Sequence, residues 1–223
     1  MRLSRRALLA AGLATATGTA TATAGCLDPG GRPTGPSGVP ARLDCPDDGF
    51  RRLDQPVAEA AVVASAYPDP DDPRFELAAE GTTLSYGTTA RFALRNRTDR
   101  PLSTGPRAAF GIQRETEAGW VDVRGTTAGP VDHGDATVEH APGAGFTWSI
   151  ELTEAGLAAT GQGSGSESGP DAGSDAERRG DADADAAPEL TVCPALGPGP
   201  YRFLYWGLDG GVAAEFELVG RGS

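Results

Sequence analysis

Apolar and polar residues alternate along most of the chain from residue 75 onward. The segment ARFALRN places Ala90, Phe92 and Leu94 on one face of an extended strand and two arginines on the other. A period of two residues is typical of strands with one buried face. The same period recurs in FGIQ, WVDV, FTWSIEL, YRFLYWG and VAAEFEL. Seven or eight short strands separated by Gly- and Pro-rich turns predict an all-β fold, an antiparallel sandwich.

Three segments interrupt this alternation. Residues 27–42 are rich in Gly, Pro and Ser and predict a tether rather than a folded element. Residues 57–67, VAEAAVVASAY, are compatible with either a short helix or a strand, and the sequence PDPDDP at 68–73 ends that element. Residues 160–188 contain no large apolar side chain, so burial cannot offset the entropy of ordering. They predict a disordered acidic insertion between two strands.

The N-terminus has the composition of an export signal. RLSRRALL is basic, and an uncharged stretch rich in Ala, Thr, Gly and Leu follows as far as Gly25. The pair Arg5 and Arg6 resembles a twin-arginine signal, although Leu8 stands where Phe is usual. An uncleaved membrane helix over residues 7–24 is the alternative. Five threonines and only three leucines in that stretch make its insertion unfavourable.

A lipid-attachment motif ends this segment. Thr23-Ala-Gly-Cys26 resembles a lipobox, in which small residues precede a cysteine that is lipidated and becomes the first mature residue, although Thr23 replaces the usual Leu. Two lipid chains anchor a protein stably. The alternative is a plain signal cleaved nearby, with Cys26 free or in a disulfide. We expect an extracytoplasmic protein held by Cys26 on the outer face of the cell membrane.

The charge composition is strongly acidic. All 19 cationic residues are arginine, against 31 acidic residues, for a net charge of −12. Removal of residues 1–25 leaves 16 arginines and a net charge of −15, which argues against a nucleic-acid partner. At about 1 M salt the Debye length falls to about 3 Å, so such a surface stops repelling itself. The composition resembles that of proteins from halophilic archaea, and a GC-rich genome with an acidic loop is the alternative explanation.

These interruptions and motifs predict the organisation of the chain. The expected parts are a lipoprotein signal peptide (1–25), a tether (26–56), a β-sandwich (57–219) with the acidic insertion (160–188), and a tail (220–223).

The strand motifs resemble a bacterial-type immunoglobulin-like (Big-type) domain of secreted and lipid-anchored proteins. The matching stretches are LSYGTTARFALRNRTD, FGIQRETEAGWVDV, APGAGFTWSIEL and LGPGPYRF with AEFEL, within residues 75–219. The resemblance implies an immunoglobulin-like β-sandwich of seven to eight strands and an extracytoplasmic setting, but no activity. LGPGPY resembles a tyrosine corner, in which the Tyr201 hydroxyl bonds the backbone just upstream.

Two kinds of covalent modification are expected in an exported chain. With Cys26 lipidated, Cys45 and Cys193 remain as a pair, and an oxidising compartment favours a disulfide between them over two free thiols. Asn96-Arg97-Thr98 is a candidate N-glycosylation sequon at a strand end, although such short motifs also occur by chance.

No residue pattern predicts catalysis or metal binding. DADAD at 181–185 begins like a calcium loop, but Ala186 and Val192 stand where the loop needs Gly and Glu. The two histidines, His133 and His140, lack the three or four convergent ligands of a metal site. A nucleophile motif is also missing. We expect no metal, no cofactor and no enzymatic activity.

The tryptophans offer the remaining binding hypothesis. Trp148 lies on the apolar phase of its strand and is expected in the core. In YRFLYWG, Arg202 and Trp206 share the phase opposite Tyr201, so they face either outward or against another layer. They are the candidate binding patch. The expected function is an interaction or structural module at the cell surface, with an unknown protein or glycan as partner. An inhibitor of secreted proteases is the alternative.

Overall fold

The computed structural model describes residues 38–160 and 189–220. The predicted signal peptide and nearly all of the predicted insertion lie outside these residues. The described strands are β1 (Arg51–Arg52), β2 (Val62–Ala64), β3 (Ala66–Tyr67), β4 (Phe75–Ala79), β5 (Thr83–Ser85), β6 (Thr89–Asn96), β7 (Leu102–Thr104), β8 (Phe110–Thr116), β9 (Gly119–Asp122), β10 (Arg124–Thr126), β11 (Val138–His140), β12 (Thr147–Glu151), β13 (Thr191–Val192), β14 (Gly199–Tyr205) and β15 (Gly211–Val219). The described helices are a 3₁₀ turn (Glu59–Ala61) and α1 (Glu154–Ala159). The all-β fold class is confirmed.

The alternation predicted for ARFALRN is seen in the first sheet. This four-stranded antiparallel sheet has the order β12-β6-β4-β3. In β6, Ala90, Phe92 and Leu94 are fully buried, and Arg91 and Arg95 are exposed. The hydrophobic pattern therefore fixes which face of β6 points inward.

The second sheet contains β15, the longest strand of the described chain. Its order is β2-β15-β14-β8-β9. Strands β2 and β5 share one edge of β15, where β2 pairs with the start of β15 and β5 pairs with its end. The pairs β14-β15, β14-β8 and β8-β9 are antiparallel, whereas β2 and β5 run parallel to β15. Both edges of β15 are thus covered along much of its length.

Aromatic side chains from the two sheets pack against one another. The ring of Phe203 in β14 lies 4.5 Å from that of Phe92 in β6 and 4.9 Å from that of Trp148 in β12, centroid to centroid. The ring of Phe110 stacks on that of Phe203, with the centroids 5.1 Å apart. Truncating a buried phenylalanine costs about 3–5 kcal/mol. This aromatic cluster therefore holds the two sheets face to face.

The outer face of the larger sheet is covered by the N-terminal part of the described chain. Strand β1 pairs antiparallel with β10, and the side chain of Leu53 is buried. Val57 and Val62 approach Leu204 of β14 beside Gly211. The predicted tether therefore ends earlier than residue 56, because residues near 51–57 supply the apolar and polar cover that this face requires.

The element predicted over residues 57–67 contains both helix and strand. The 3₁₀ turn Glu59–Ala61 is followed by β2 and, after Ser65, by β3. Ser65 has a φ of 61°, in the left-handed region that a non-glycine residue seldom adopts. The kink at Ser65 lets one short segment pair first with β15 and then with β4.

The predicted tyrosine corner is present before β14. The Tyr201 hydroxyl donates a hydrogen bond of 2.9 Å to the backbone carbonyl of Gly197. Burial raises the pKa of this hydroxyl, so it stays protonated as a donor at neutral pH. Gly199, with a φ of 137°, supplies the turn conformation at the first residue of the strand.

Candidate functional site

Arg202 and Trp206 do not form the exposed patch that we expected from the sequence. Their exposed fractions are 3% and 7%, respectively. The N-terminal segment covers this phase of β14, so both faces of the strand are buried. The possibility of packing against another layer, which the alternation left open, is the one observed.

The buried Arg202 guanidinium is held in a polar network that reaches the surface at Glu59, whose side chain is 63% exposed. It donates hydrogen bonds of 2.7 and 2.5 Å to the two carboxylate oxygens of Glu59 and a further bond to the Gln113 side chain. The guanidinium also lies 4.6 Å from the centre of the Trp120 ring. These hydrogen bonds hold the pKa of the Glu59 carboxyl below its usual range. Arg202 therefore fastens the 3₁₀ turn to the sheet rather than facing a ligand.

Asn96, the candidate glycosylation residue, is also buried. Its side chain is 1% exposed, and its amide nitrogen donates to the backbone carbonyls of Arg100 and His140 at 2.8 and 3.0 Å. Its carbonyl oxygen accepts hydrogen bonds from the backbone and hydroxyl of Thr98. The Asn-X-Thr sequence therefore closes the turn after β6. A buried, fully bonded amide is a poor glycan acceptor in the folded domain, so we expect Asn96 to carry no glycan, and its occupancy stays a prediction.

The predicted disulfide between Cys45 and Cys193 is confirmed, with an S–S distance of 2.03 Å. It joins the N-terminal segment to Cys193, which directly follows β13 and lies 148 residues further along the chain. Cys26, Arg5 and Arg6 lie outside the described residues, so lipidation and export remain predictions.

The two histidines occupy different environments. His140 is 4% exposed, packs against aromatic rings and shares a hydrogen bond of 2.9 Å with the Thr104 hydroxyl. His133 is half-buried, and its Nδ1 lies 3.1 Å from the backbone carbonyl of Ala108. Burial lowers the pKa of both imidazoles, and Arg124 lowers that of His133 further. Both rings are therefore neutral at pH 7.

His133 belongs to the wall of an open cleft of about 720 Å³. The cleft lies where the loop after β14, the loop before β11 and the N-terminal segment meet. Charged and polar side chains of the lining come from Asp54, Gln55, Tyr67, Arg74, Ser103, Thr104, Asp132, His133, Asp135, Thr137 and Asp209. Apolar lining comes from Pro56, Phe75, Pro106, Ala109, Val131, Trp206 and Leu208. A volume of this size is typical of small-molecule sites.

The indole of Trp206, which lines this cleft, has a hydrogen-bond donor without a protein partner. Its Cζ3 atom faces β8, about 3.1 Å from where a Cβ on Gly111 would lie. Nε1 is on the opposite side of the indole and therefore points away from β8. Among residues 38–160 and 189–220, no side chain or carbonyl accepts a hydrogen bond from this N–H. By contrast, the indole of Trp148, which is in the core as predicted, donates to the carbonyl of Arg107.

Two further groups of the cleft have free hydrogen-bonding capacity. A carbonyl can only accept, so Nδ1 of neutral His133 carries the proton and Nε2 keeps a lone pair. Burial, followed by the charge of Asp209, raises the pKa of the Tyr67 hydroxyl, which stays protonated. The described chain offers this hydroxyl no hydrogen-bond partner. The cleft thus combines donors and acceptors.

The sequence indicated only part of this cleft. Asp132 and Asp135 flank His133 in the sequence, and Trp206 was predicted, together with Arg202, as a candidate binding patch. Tyr67 and Asp209 are more than 140 residues apart and meet only because β2 pairs with β15 and β3 with β4. An alternation pattern contains no information on such loop encounters.

A metal site is not indicated in the described part of the chain. No group of three or more His, Cys, Asp or Glu side chains converges there. The segment DADAD lies outside the described residues. In the same ranges no helix has the length and apolar character needed to cross a membrane.

Comparisons with known proteins identify no family for this chain. No family model matches it, and no curated protein matches it. Among solved structures, it is similar to a mutant β-glucosidase from Listeria innocua in complex with laminaribiose, at 14% sequence identity and a TM-score of 0.28. The match covers 81% of this chain and 22% of that enzyme, so the chain spans about a fifth of the enzyme's length. A TM-score this low does not establish a shared fold.

Proposed function

We propose that this chain is a non-enzymatic, lipid-anchored binding module on the outer face of the cell membrane, with an immunoglobulin-like sandwich that presents the cleft. The disulfide between Cys45 and Cys193 is the observation that carries the proposal. Disulfides persist in oxidising compartments, and those lie outside the cytosol. An exported chain agrees with the signal formed by Arg5 and Arg6 and with the lipid-attachment motif at Cys26.

Two features support the immunoglobulin-like architecture. Two sheets pack face to face through Phe92, Phe203 and Trp148. The hydrogen bond from Tyr201 to Gly197 has the form of a tyrosine corner, which is typical of such sandwiches.

Binding, rather than catalysis, suits the groups that line the cleft. Its imidazole, His133, is hydrogen-bonded to the carbonyl of Ala108 and not to a serine, threonine or cysteine among the described residues. Nucleophilic catalysis needs a nucleophile within hydrogen-bond reach of its base. A neutral imidazole held by a carbonyl instead acts as a fixed hydrogen-bond acceptor.

Membrane fractionation with intact mass tests the anchor. We expect wild-type protein in the membrane fraction with a lipid-sized mass on the mature chain, and Cys26→Ser protein released and lacking that mass. Cys45→Ser with Cys193→Ser is the matched control, because it removes two other cysteines and should stay on the membrane. Retention of Cys26→Ser on the membrane would contradict lipid anchoring and favour an uncleaved helix.

Replacing the arginine pair tests the export route. Arg5→Lys with Arg6→Lys keeps the positive charge, yet it should leave the precursor in the cytoplasm if the twin-arginine machinery reads the pair. Normal export of this variant would show that another route is used. Pull-down from a surface extract tests the partner class, and a secreted protease as sole partner would favour the inhibitor function over a general binding module.

A further inference from the structure

We propose that the cleft is a saccharide-binding site for neutral or amino-substituted sugars. The proposal rests on the function proposed above, because it names the ligand of the same surface module. The cleft is defined here by Tyr67, His133, Trp206 and the aspartates around them.

The indole N–H of Trp206 requires an acceptor from the ligand. The side chain is 93% buried, since its exposed fraction is 7%, and its N–H has no acceptor among the described residues. The N–H itself reaches solvent, because among the described residues Nε of Arg114 is the one buried side-chain nitrogen or oxygen without a partner. A ligand that displaces the water at this N–H has to supply an acceptor in its place or lose affinity. The first requirement on the ligand is therefore an oxygen that accepts a hydrogen bond close to Trp206.

The opposite requirement comes from His133 and the carboxylates. Nε2 of His133 carries a lone pair, and the ring stands edge-on to Trp206 with centroids 5.2 Å apart. Carboxylates of Asp54, Asp132 and Asp209 can only accept hydrogen bonds when ionised. These groups need ligand donors. A sugar hydroxyl both donates and accepts, so neighbouring hydroxyls can satisfy His133 and Trp206 together.

The charge of the cleft restricts the class of sugar. Four aspartates and one arginine, Arg74, line it, and His133 is neutral, so the lining has a net charge of −3. Uronic acids, sialic acids and phosphates would be repelled. A simple cation would pair with the carboxylates but would make no use of the Trp206 N–H or of the Tyr67 hydroxyl as a donor. Neutral hydroxyls, with or without an amino group, serve both sets.

The apolar lining fits the C–H faces of a sugar ring. The half-buried ring of Tyr67 and the side chains of Pro56, Pro106 and Leu208 present apolar surface beside the polar groups. A mixed lining of this kind, with a few placed polar groups, is the general character of small-ligand sites. The opening to solvent allows a longer glycan to extend beyond the cleft.

A glycan array followed by calorimetric titration tests the proposal with the purified full-length protein. The probes are neutral, amino-substituted and acidic saccharides, with spermidine as a non-sugar cation. Tyr67→Phe removes one hydroxyl and should weaken sugar binding about fivefold. Asp209→Asn should weaken binding of amino sugars more than that of neutral sugars. Asp99→Asn, in an exposed turn outside the cleft, is the control and should leave binding unchanged.

Each outcome supports or overturns the inference. Binding of a neutral or amino saccharide that Tyr67→Phe weakens supports it, and for neutral sugars the affinity should persist in about 1 M NaCl. Binding of acidic saccharides, binding of spermidine alone, or no saccharide binding overturns it. Membrane fractionation is independent of these results. An anchored protein that binds no sugar refutes this inference alone, and a sugar-binding protein that is not anchored refutes the proposed location.

Discussion

Removing the disulfide should lower the free energy of unfolding by several kcal/mol without changing the native fold. Cys45 and Cys193 are 148 residues apart, so the bond closes most of the described chain into one loop. In the chain-entropy model, a loop of this length stabilises by about 5 kcal/mol at 25 °C. Engineered and native bonds often deliver less than the model gives, so we expect a loss of about 3–5 kcal/mol in Cys45→Ser with Cys193→Ser.

The native contacts near the bond should survive its removal. Arg52 donates to the carbonyls of Asp122, Cys193 and Leu43 at 2.8, 2.7 and 2.7 Å, so the N-terminal segment has other attachments to the sheet. The loss should therefore come from a larger unfolded ensemble. In urea, the variant should show a lower midpoint and a somewhat larger m-value.

Urea titration followed by tryptophan fluorescence measures this effect, since Trp148 and Trp206 are buried in the folded state. A reductant should lower the midpoint of the wild type and leave that of the double serine variant unchanged. Cys26→Ser keeps the bonded pair and serves as the control. A loss below about 1 kcal/mol, or equal sensitivity of both proteins to reductant, would refute the reasoning.

The remaining predictions concern buried polar groups. Tyr201→Phe should cost about 1 kcal/mol in urea titration, since one net hydrogen bond is lost, and no loss would contradict the corner. Glu59→Ala should lower the free energy of unfolding by about 1–2 kcal/mol because it leaves the Arg202 guanidinium without its carboxylate partner. In an Arg202→Met background the same substitution should cost little. Additive losses in the double variant would contradict the pairing. Intact mass of exported protein should show no glycan at Asn96, and a glycan there would mean that the amide is accessible. Burial lowers the pKa of His140 in the folded state. The stability that the neutral His140 side chain contributes is therefore full above the pKa of the unfolded chain, about 6.5, and is lost as pH falls through the folded pKa. The melting temperature should fall less between pH 7.5 and 5 in His140→Gln than in the wild type, and parallel curves would contradict this.

The sequence was sufficient to predict which side chains are buried in a strand that has one face in solvent. In β6 the arginines alternate with Ala90, Phe92 and Leu94, and the observed burial follows that alternation residue by residue. The tyrosine corner was equally predictable, because Tyr201 and Gly197 are local in sequence and their contact depends on one turn. The pairing of two distant cysteines followed from their number once Cys26 was assigned to the anchor.

Strand β14 shows why the burial of Arg202 could not be predicted from the sequence. Its two phases, one with Tyr201 and Phe203 and one with Arg202 and Leu204, are both buried, so alternation no longer indicates a solvent face. An arginine in such a strand looks exposed from sequence because a buried charge is unfavourable unless it is paired. Its partner, Glu59, lies 143 residues earlier.

The same N-terminal segment that misled the interpretation of Arg202 also makes the cleft. By covering the outer face of the larger sheet, residues near 54–67 bring Asp54 and Tyr67 beside the loop that follows β14. Without that covering segment, Trp206 would be an exposed aromatic side chain on a flat sheet. With the segment in place, only the edge of the indole that bears the N–H remains directed away from β8. The segment therefore helps to make a concave site, and a ligand there contacts both this segment and the loop that follows β14. Because removing the disulfide leaves the native contacts of this segment in place, a ligand of the cleft should stabilise the wild type and the disulfide-free variant by the same free energy, measured as the change in unfolding free energy when the ligand is added. A smaller stabilisation of the variant would show that the bond also shapes the cleft.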